Sequence, residues 1–182
     1  MRKFALLGAL LVGCAHAPSG PPLRAVDRVD LTRYAGRWYE IATIPMSFQK
    51  GCVGVTADYA LRPDGDVSVV NTCRKETLDA PERSVEGKAW SVAPSNAKLE
   101  VQFFWPFHGA YWIIDLSPDY QWAVVGHPSR TYLWILSRTP QMDPATYDGI
   151  LSRLKAQAYD TSLLVKTPQP PGPVYIPPRE AP

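Results

Sequence analysis

The chain has 182 residues, of which 46% are hydrophobic and 20% are charged, a composition typical of a single globular domain. Its formal net charge is +2, with 19 basic and 17 acidic residues, and Arg2 and Lys3 supply the excess. A chain so close to neutrality lacks the basic surface of a nucleic-acid-binding protein and a basic run that would bind anionic lipid by charge.

The first segment, MRKFALLGALLVGCAHA, has the pattern of an export signal. Two basic residues precede the apolar run from Phe4 to Val12, which is shorter than the roughly 20 residues of a membrane span. A short buried helix is the alternative. Ala15-His16-Ala17 is suitable for cleavage to a free secreted protein, whereas Cys14 is suitable for lipid attachment, and the residues alone leave both options open.

Proline-rich segments flank the central part of the chain. Residues 14–27 predict a flexible or extended linker. Residues 168–182 are dense in proline, which disfavours a helix or an internal strand. We predict a disordered tail there, with an extended arm on the protein surface as the alternative. The folded unit is therefore expected within residues 28–167.

Short segments of strand-like sequence follow one another in this unit, separated by turn signals such as RPDG at residues 62–65. The predicted strands are residues 36–44, 52–61, 66–75, 83–93, 97–104, 109–116, 121–127 and 131–138.

An amphipathic helix is predicted after the strands, at residues 143–159. Asp143 is a suitable N-cap and Pro144 suits the first turn. The apolar face comprises Tyr147, Ile150, Leu151 and Leu154. The pattern of residues 161–167 indicates one short terminal strand.

The short connections predict an all-β fold, an eight-stranded up-and-down antiparallel barrel with the helix packed outside. Closure of the barrel would remove the exposed strand edges, and eight strands enclose enough space for one small ligand. A β-sandwich is less suitable because its Greek-key connections include long crossovers. A membrane-spanning barrel is less suitable because the outward positions of the predicted strands include charges.

The predicted hairpin brings two of the three cysteines together. Around the RPDG turn, Cys52 and Cys73 fall on the same face of the hairpin, one bulge or diagonal step from direct opposition. Disulfide geometry requires close Cα atoms, which this placement provides. We predict a Cys52–Cys73 disulfide, with two free thiols as the alternative.

Three sequence motifs in order resemble those of the lipocalin family. The first is Gly36-Arg37-Trp38-Tyr39-Glu40, which resembles the Gly-x-Trp signature on the first strand, preceded by DLTRY at residues 30–34. Asp119 and Tyr120 are similar to the second motif, with Pro118 where the family usually has threonine. Arg138 matches the arginine of the third motif, on the last strand. The resemblance covers about residues 28–167 and is greatest to bacterial and apolipoprotein D-like lipocalins.

This resemblance implies structural roles for the motif residues. Trp38 would plug the barrel floor, and Arg138 would pack over its indole ring, where cation–π attraction and bonds to backbone carbonyls hold it. Gly36 would permit close approach of the backbone at the floor.

The resemblance also implies a binding site inside the barrel. Tyr111 and Trp134 are the best candidates for ligand contact by family position. Strand alternation adds weaker candidates that a one-residue register shift would turn outward: Tyr59, Trp90, Phe103 and Ile113. Barrel packing without ligand contact is the alternative for each. Met46 and Phe48 would form an apolar lid in the first loop.

The N-terminal sequence acquires a more specific interpretation from the same resemblance. Leu11-Val12-Gly13-Cys14 is similar to a lipobox, in which residues 1–13 are removed and Cys14 carries diacylglycerol and a further acyl chain such as palmitate. Ala15 in place of aspartate implies the outer membrane. The protein is expected to be lipid-anchored there, with its barrel in the periplasm.

The implied function is the binding and storage or transport of small apolar ligands, specifically fatty acids or lysophospholipids. An interaction or structural lipoprotein is the alternative. An enzyme is disfavoured because the sequence has no Gly-x-Ser-x-Gly, His-Glu-x-x-His or P-loop motif, and His16, His108 and His127 have no metal-ligand spacing. No catalytic residue, metal, cofactor or nucleic-acid partner is expected. The residues do not decide the oligomeric state, for which a homodimer is one option.

Overall fold

A computed structural model describes residues 21–177, so Cys14 and the predicted signal lie outside the described residues. Strands β1 to β8 form one antiparallel sheet in which each strand pairs with the next along the chain. β1 also pairs with β8, and this pairing closes the sheet into a barrel. The predicted eight-stranded up-and-down barrel is therefore confirmed.

The barrel strands have boundaries close to the predicted ones. They are β1 (Gly36–Thr43), β2 (Cys52–Leu61), β3 (Val67–Lys75), β4 (Glu82–Ser91), β5 (Lys98–Phe104), β6 (Phe107–Leu116), β7 (Trp122–Gly126) and β8 (Leu133–Ser137).

The remaining elements are short, apart from one helix. They are α1 (Leu31–Tyr34), 3-10 turns at Ser47–Gln49 and Thr161–Leu163, β9 (Gln141–Met142), α2 (Pro144–Ala156), β10 (Val165–Lys166) and β11 (Val174–Tyr175). The short terminal strand suggested for residues 161–167 is only two residues long, and it pairs with β1.

The predicted disulfide forms between Cys52 at the start of β2 and Cys73 in β3, with their Cα atoms 5.5 Å apart. A bulge between Val53 and Thr56 shifts the register of this hairpin. Gly54 lies in the bulge at φ +59°, a left-handed conformation that favours glycine. The bulge brings the two cysteines into a diagonal position, and the alternative of two free thiols is wrong.

The barrel floor is built around Trp38, whose side chain is fully buried. The guanidinium carbon of Arg138 lies 3.7 Å from the centroid of its ring. Arg138 also donates hydrogen bonds at 2.8–3.3 Å to the carbonyl groups of Arg33, Tyr34, Ala35, Arg37 and Tyr120. The stacking on Trp38 and the bonds to backbone carbonyls agree with the resemblance, and through them one side chain joins the end of β8, α1, β1 and the β6–β7 turn.

The second motif fixes α1 beneath the floor. The Tyr120 hydroxyl accepts a hydrogen bond from the backbone N–H of Asp30, the residue that caps α1. The Arg33 guanidinium lies 4.0 Å from the centre of the Tyr120 ring and donates to the carbonyl of Pro118. Ser117 stabilises the turn, because its hydroxyl accepts from two backbone N–H groups. Proline at position 118 is therefore compatible with a well-bonded turn.

Helix α2 packs against the outside of the barrel, as predicted. The Asp143 carboxylate accepts from the backbone N–H of Thr146, so the helix begins with the expected cap. Ile150 and Leu154 are buried against the outward face of β6 to β8. Within residues 21–177, no helix is long and apolar enough to cross a membrane.

The described part of the C-terminal tail, residues 168–177, differs from the predicted disordered tail. Gln169 donates from its side-chain amide to the carbonyl groups of Glu40 and Val55. Farther along, β11 pairs in parallel with β9, and the Tyr175 side chain is buried. Proline disfavours internal strands but not a short extended edge, so this segment follows the alternative of a surface arm.

The end of the predicted linker also lies along the barrel. The Val26 N–H donates to the carbonyl of Ile113 at 2.9 Å, and Leu23 is buried beside α2. The linker was predicted to be flexible or extended, and its described part, residues 21–27, is extended and packed on the barrel.

Replacing the floor arginine should destabilise the whole barrel. In Arg138→Ala, several backbone carbonyl groups lose a charged donor, and hydrogen bonds to charged groups contribute about 1.5–3 kcal/mol each. We expect the free energy of unfolding in urea to fall by about 3 kcal/mol or more, and Arg138→Lys to recover little because an ammonium lacks the planar fork. Arg83→Ala, at an exposed position on β4, should behave as the parent protein. Equal stability of Arg138→Ala and the parent would contradict this role.

Candidate ligand-binding site

The inner surface of the barrel is largely apolar. Side chains of successive strands alternate, so one set faces inward and the other faces α2 or solvent. The inward set includes Val67, Val69, Ala89, Leu99, Val101, Phe103, Ile113, Ala123, Val125, Trp134 and Leu136. An interior of this composition favours an apolar ligand.

Three tyrosine hydroxyl groups form a chain just above the floor. Tyr111 lies at its centre, with its hydroxyl oxygen 2.8 Å from that of Tyr34 and 2.9 Å from that of Tyr59. The rings also pack together, since the centroids of Tyr34 and Tyr59 are 5.7 Å apart. The chain connects α1, β2 and β6, so it depends on the floor geometry set by Arg138.

These tyrosines are neutral hydrogen-bonding groups at physiological pH. Burial raises the pKa of Tyr59 to about 12 and raises the pKa of Tyr34 and of Tyr111 well above its ordinary value. Three hydroxyl hydrogens share the two O···O contacts of the chain, so one hydrogen has no acceptor within it. The chain can therefore donate one hydrogen bond to an oxygen atom that enters the barrel.

A small cavity borders this tyrosine chain. Its volume for a water-sized molecule is about 20 Å³, enough for roughly one water. All three tyrosines and several aliphatic residues line it: Leu31, Ala35, Val67, Val69, Ala89, Leu99 and Val101. The cavity therefore combines apolar walls with hydroxyl groups at one end.

A second polar group lies higher in the barrel, toward the open end. Glu40 is two residues after Trp38 on β1 and is buried. Its carboxylate accepts a 2.6 Å bond from the side-chain amide of Gln49, in the first loop, and a bond from the Thr167 hydroxyl. The Trp134 indole N–H lies 3.5 Å from the side-chain oxygen of Gln49. The carboxyl group thus connects the first loop, the C-terminal segment and the inner wall.

Burial determines the protonation behaviour of Glu40. Removal from water raises its pKa above the usual value of 4.5, while the bonds from Thr167 and Gln49 act in the opposite direction. Glu40 is a buried acid close to the barrel interior. The polarity of that interior therefore affects whether its carboxyl group is charged.

Aromatic side chains surround the open end beside Glu40. The rings of Tyr132 and Trp134 are stacked with their planes 9° apart. Phe48 lies 6.4 Å from Tyr132 between ring centroids, but it is 73% exposed. Phe48 therefore lies at the edge of the opening, and Met46 is half-buried in the same loop, while the apolar lid stays a prediction.

The structure places most of the predicted contact residues inside the barrel. Tyr59, Phe103, Tyr111, Ile113 and Trp134 all belong to the inward set. Tyr59 and Tyr111 are hydrogen-bonded at the bottom, whereas Trp134 lies near the open end. Whether each of them contacts a ligand stays a prediction.

Trp90 is the exception, because the structure places it on the outer wall. The preceding residue, Ala89, occupies the inward position of β4. Trp90 lies beside His108, with ring centroids 5.8 Å apart, and the Lys88 ammonium is 5.4 Å from its ring. The prediction of an inward Trp90 is wrong by one residue of register, which moves a strand side chain to the opposite face.

Sequence reasoning missed three residues of the site. Tyr34 belongs to a short helical turn, where strand alternation gives no guidance. Glu40 could have been found from its spacing of two residues from Trp38 on the same strand. Gln49 reaches the interior from a loop, and no periodic signal marks it.

Comparison with known proteins supports the arrangement described above. The model of the lipocalin-like domain matches residues 29–169, from before α1 to the segment beyond β10. The chain belongs to the lipocalin family. The matched region includes the floor, all eight barrel strands and α2.

Relatives of this lipocalin occur in plants, bacteria and animals. The chain is 43% identical over 158 residues to temperature-induced lipocalin-1 of Arabidopsis thaliana, covering 81% of this chain and 83% of that protein. It is 39% identical over 176 residues to outer membrane lipoprotein Blc of Escherichia coli K12, covering 93% and 99%. It is 32% identical over 169 residues to apolipoprotein D of Bos taurus, covering 86% and 82%.

Solved structures share the same fold at lower sequence identity. Insecticyanin of the tobacco hornworm Manduca sexta aligns with a TM-score of 0.63 at 22% identity, covering 81% of this chain and 84% of that one. Apocrustacyanin C1 aligns with a TM-score of 0.64 at 19% identity, covering 79% and 82%. The family assignment identifies this lipocalin as a binding protein for small hydrophobic ligands rather than an enzyme, as predicted.

Replacing the buried carboxyl group should alter the pH dependence of stability. Because the pKa of Glu40 is higher in the folded protein than in the unfolded chain, its contribution is present below the unfolded pKa and lost as pH rises through the folded pKa. We expect Glu40→Gln to gain stability relative to the parent as pH rises from about 4.3, the pKa of a free glutamate, through the raised pKa of folded Glu40, measured by urea unfolding. Glu86→Gln, at an exposed position on β4, should follow the parent. A Glu40→Gln difference that does not change with pH would contradict the assignment.

Proposed function

We propose that this lipocalin binds fatty acids or lysophospholipids in its barrel and stores or transports them at the outer membrane, to which Cys14 anchors it. The single observation that carries the ligand class is the pairing of an apolar inner wall with the hydroxyl chain of Tyr34, Tyr59 and Tyr111. The proposed ligands combine an acyl chain with oxygen acceptors, and each part has a counterpart in the barrel.

The apolar wall supports affinity for the acyl chain. Each methylene group removed from water contributes about 0.8 kcal/mol, so a long chain supplies enough free energy to exceed the cost of immobilisation. The cavity beside the tyrosine chain is smaller than a long acyl chain, so such a chain would occupy more of the barrel than this cavity. Trp134 and Phe103 are large inward side chains that are only partly buried, and they add apolar surface for an acyl chain.

Polar groups at two levels support selectivity. At the bottom, the hydroxyl chain has one hydrogen to donate to a carboxyl or ester oxygen. Toward the open end, the hydrogen-bonded pair of Gln49 and Glu40 forms a second polar level, on the side where a polar headgroup would lie. A few polar groups give an apolar pocket its selectivity. A ligand that cannot pair with them leaves buried polar groups without partners, which costs free energy of binding.

The anchor and the location rest on the sequence and on the relatives. Cys14 follows Leu-Val-Gly in the lipobox-like stretch, and the two cysteines of the barrel are paired with each other. Two matched bacterial relatives are named outer membrane lipoproteins. These observations support an acylated Cys14 at the outer membrane, and a barrel on the periplasmic side is part of the proposal.

Ligand titration tests the binding function. In delipidated protein, oleic acid or lysophosphatidylethanolamine should quench tryptophan emission saturably, because Trp134 lies on the inner wall. Trp134→Phe should lose most of this quenching, whereas the matched control Trp90→Phe should retain it, since Trp90 is on the outer wall. Absence of saturable quenching in all three proteins would favour the alternative of an interaction or structural lipoprotein.

A mass spectrum of the mature protein tests the anchor. We expect the chain to begin at Cys14 and to carry the added mass of a diacylglycerol and one acyl chain. Cys14→Ser should lack this added mass. A mature chain that begins at His16 or later without added lipid would exclude the anchor and leave the ligand-binding proposal to stand on the titration.

A further inference from the structure

Large aromatic side chains are exposed at the tip of the β5–β6 hairpin. Phe104 and Phe107 pair across the hairpin, and Trp105 and Pro106 form its turn. Phe104 is 69% exposed, Trp105 is 85% exposed and Phe107 is 77% exposed. We refer to residues 104–107 as the aromatic hairpin. Single exposed apolar residues are common, whereas three adjacent aromatic rings indicate a contact surface.

The aromatic hairpin lies at the open end of the barrel. Trp38 at the start of β1 marks the floor, so β1 runs from the floor to the opening. Because neighbouring strands are antiparallel, β5 also runs toward the opening and β6 returns from it. The exposed Phe48, in the loop after β1, lies at the same end. Exposed aromatic side chains therefore occur on two loops around the opening.

The N-terminal segment leaves the described structure at this same end. The carbonyl of Pro21 accepts a hydrogen bond from the Arg130 guanidinium, in the turn between β7 and β8. That turn follows β7, which runs toward the opening. By contrast, the tail contacts the floor end, where the Tyr175 hydroxyl donates to Asp119 in the β6–β7 turn at 3.1 Å.

We propose that the aromatic hairpin docks on the lipid bilayer and turns the barrel opening toward the membrane surface. This inference rests on the proposed anchor at Cys14. Six residues lie between Cys14 and Pro21, and the seven Cα-to-Cα steps that join them span at most about 25 Å. Such a tether holds the opening near the bilayer, whereas a floor-down orientation would need the tether to span the height of the barrel.

The chemistry of the hairpin fits a bilayer surface. Tryptophan and phenylalanine partition into the interfacial region, where large rings bury apolar area among headgroups and acyl chains. A protruding four-residue tip offers little of the roughly 800 Å² per partner that a stable protein interface buries. A bilayer deforms around a narrow tip, and a fatty acid leaving it would meet the barrel opening directly.

Fluorescence in vesicles provides the direct test. The mature acylated protein is reconstituted in phosphatidylethanolamine and phosphatidylglycerol vesicles, and flotation establishes that it is bound. Phospholipids brominated on their acyl chains then quench indoles that contact the bilayer. We expect Trp105→Phe to lose most of the bromine-quenchable emission. Trp90→Phe, whose indole lies on the outer wall away from the opening, should keep it.

A kinetic measurement checks the consequence for ligand uptake. The probe is cis-parinaric acid, a fluorescent fatty acid, loaded in the vesicles. The triple variant Phe104→Ser, Trp105→Ser and Phe107→Ser should take it up about tenfold more slowly, the effect of losing the burial of roughly one large apolar side chain. Its affinity for the probe in solution should be unchanged. The matched control is Leu61→Ser with Val92→Ser, two exposed apolar residues at the floor end, and it should behave as the parent.

The outcomes separate docking from the proposed function. Flotation with equal bromine quenching of the parent and Trp105→Phe would overturn docking while the anchor stands. No flotation would overturn both the anchor and the docking. Weak probe binding by the parent in solution would count against the ligand class alone. If acrylamide quenching of Trp105 fell with rising protein concentration without vesicles, a second copy of the chain would be the partner and docking would be wrong.

Discussion

The Arg138 guanidinium over the Trp38 ring is the interaction on which the rest of this structure depends. A barrel without a floor would admit water from both ends, and its apolar interior would lose its value as a binding site. Arg138 closes the floor with one planar group that stacks on an indole and donates to several backbone carbonyls. Because those carbonyls belong to α1 and β1 as well as to the β6–β7 turn, the first strand, the last strand and the helical turn are fixed together.

This closure gives the barrel two chemically different ends. At the floor, charged and aromatic side chains satisfy the backbone, and the tail adds a further contact through Tyr175. At the opening, the first loop and the β5–β6 hairpin carry exposed aromatic side chains. Pro21, the first described residue, lies at the opening through its contact with Arg130, and from there the chain runs along the barrel to α1 at the floor. The interior therefore communicates with its surroundings at the end where the proposed anchor would hold the protein.

Within the barrel, polar groups occur where the floor and the loops can support them. The hydroxyl groups of Tyr34, Tyr59 and Tyr111 satisfy one another, which reduces the cost of burying them in an apolar space. The Glu40 carboxyl obtains its partners from a loop and from the segment after α2, so its environment depends on elements distant in sequence. A hydroxyl chain below and a carboxyl group above divide the interior into an apolar middle and two polar levels.

The sequence by itself predicted the strand order, helix α2 and the disulfide pair, and the resemblance of its motifs implied the residues of the floor. These features depend on local periodicity, on turn residues and on three motifs, all of which can be read from neighbouring positions. The sequence could not determine which face Trp90 presents, because one residue of register reverses a strand side chain. Nor could it determine that residues 168–177 pack on the barrel, since a proline-rich composition describes the free chain and not the surface it meets. Tyr34, Glu40 and Gln49 joined the site only in the tertiary structure, because barrel closure brings a helical turn, a strand and a loop to one interior, and no spacing along the chain encodes that proximity.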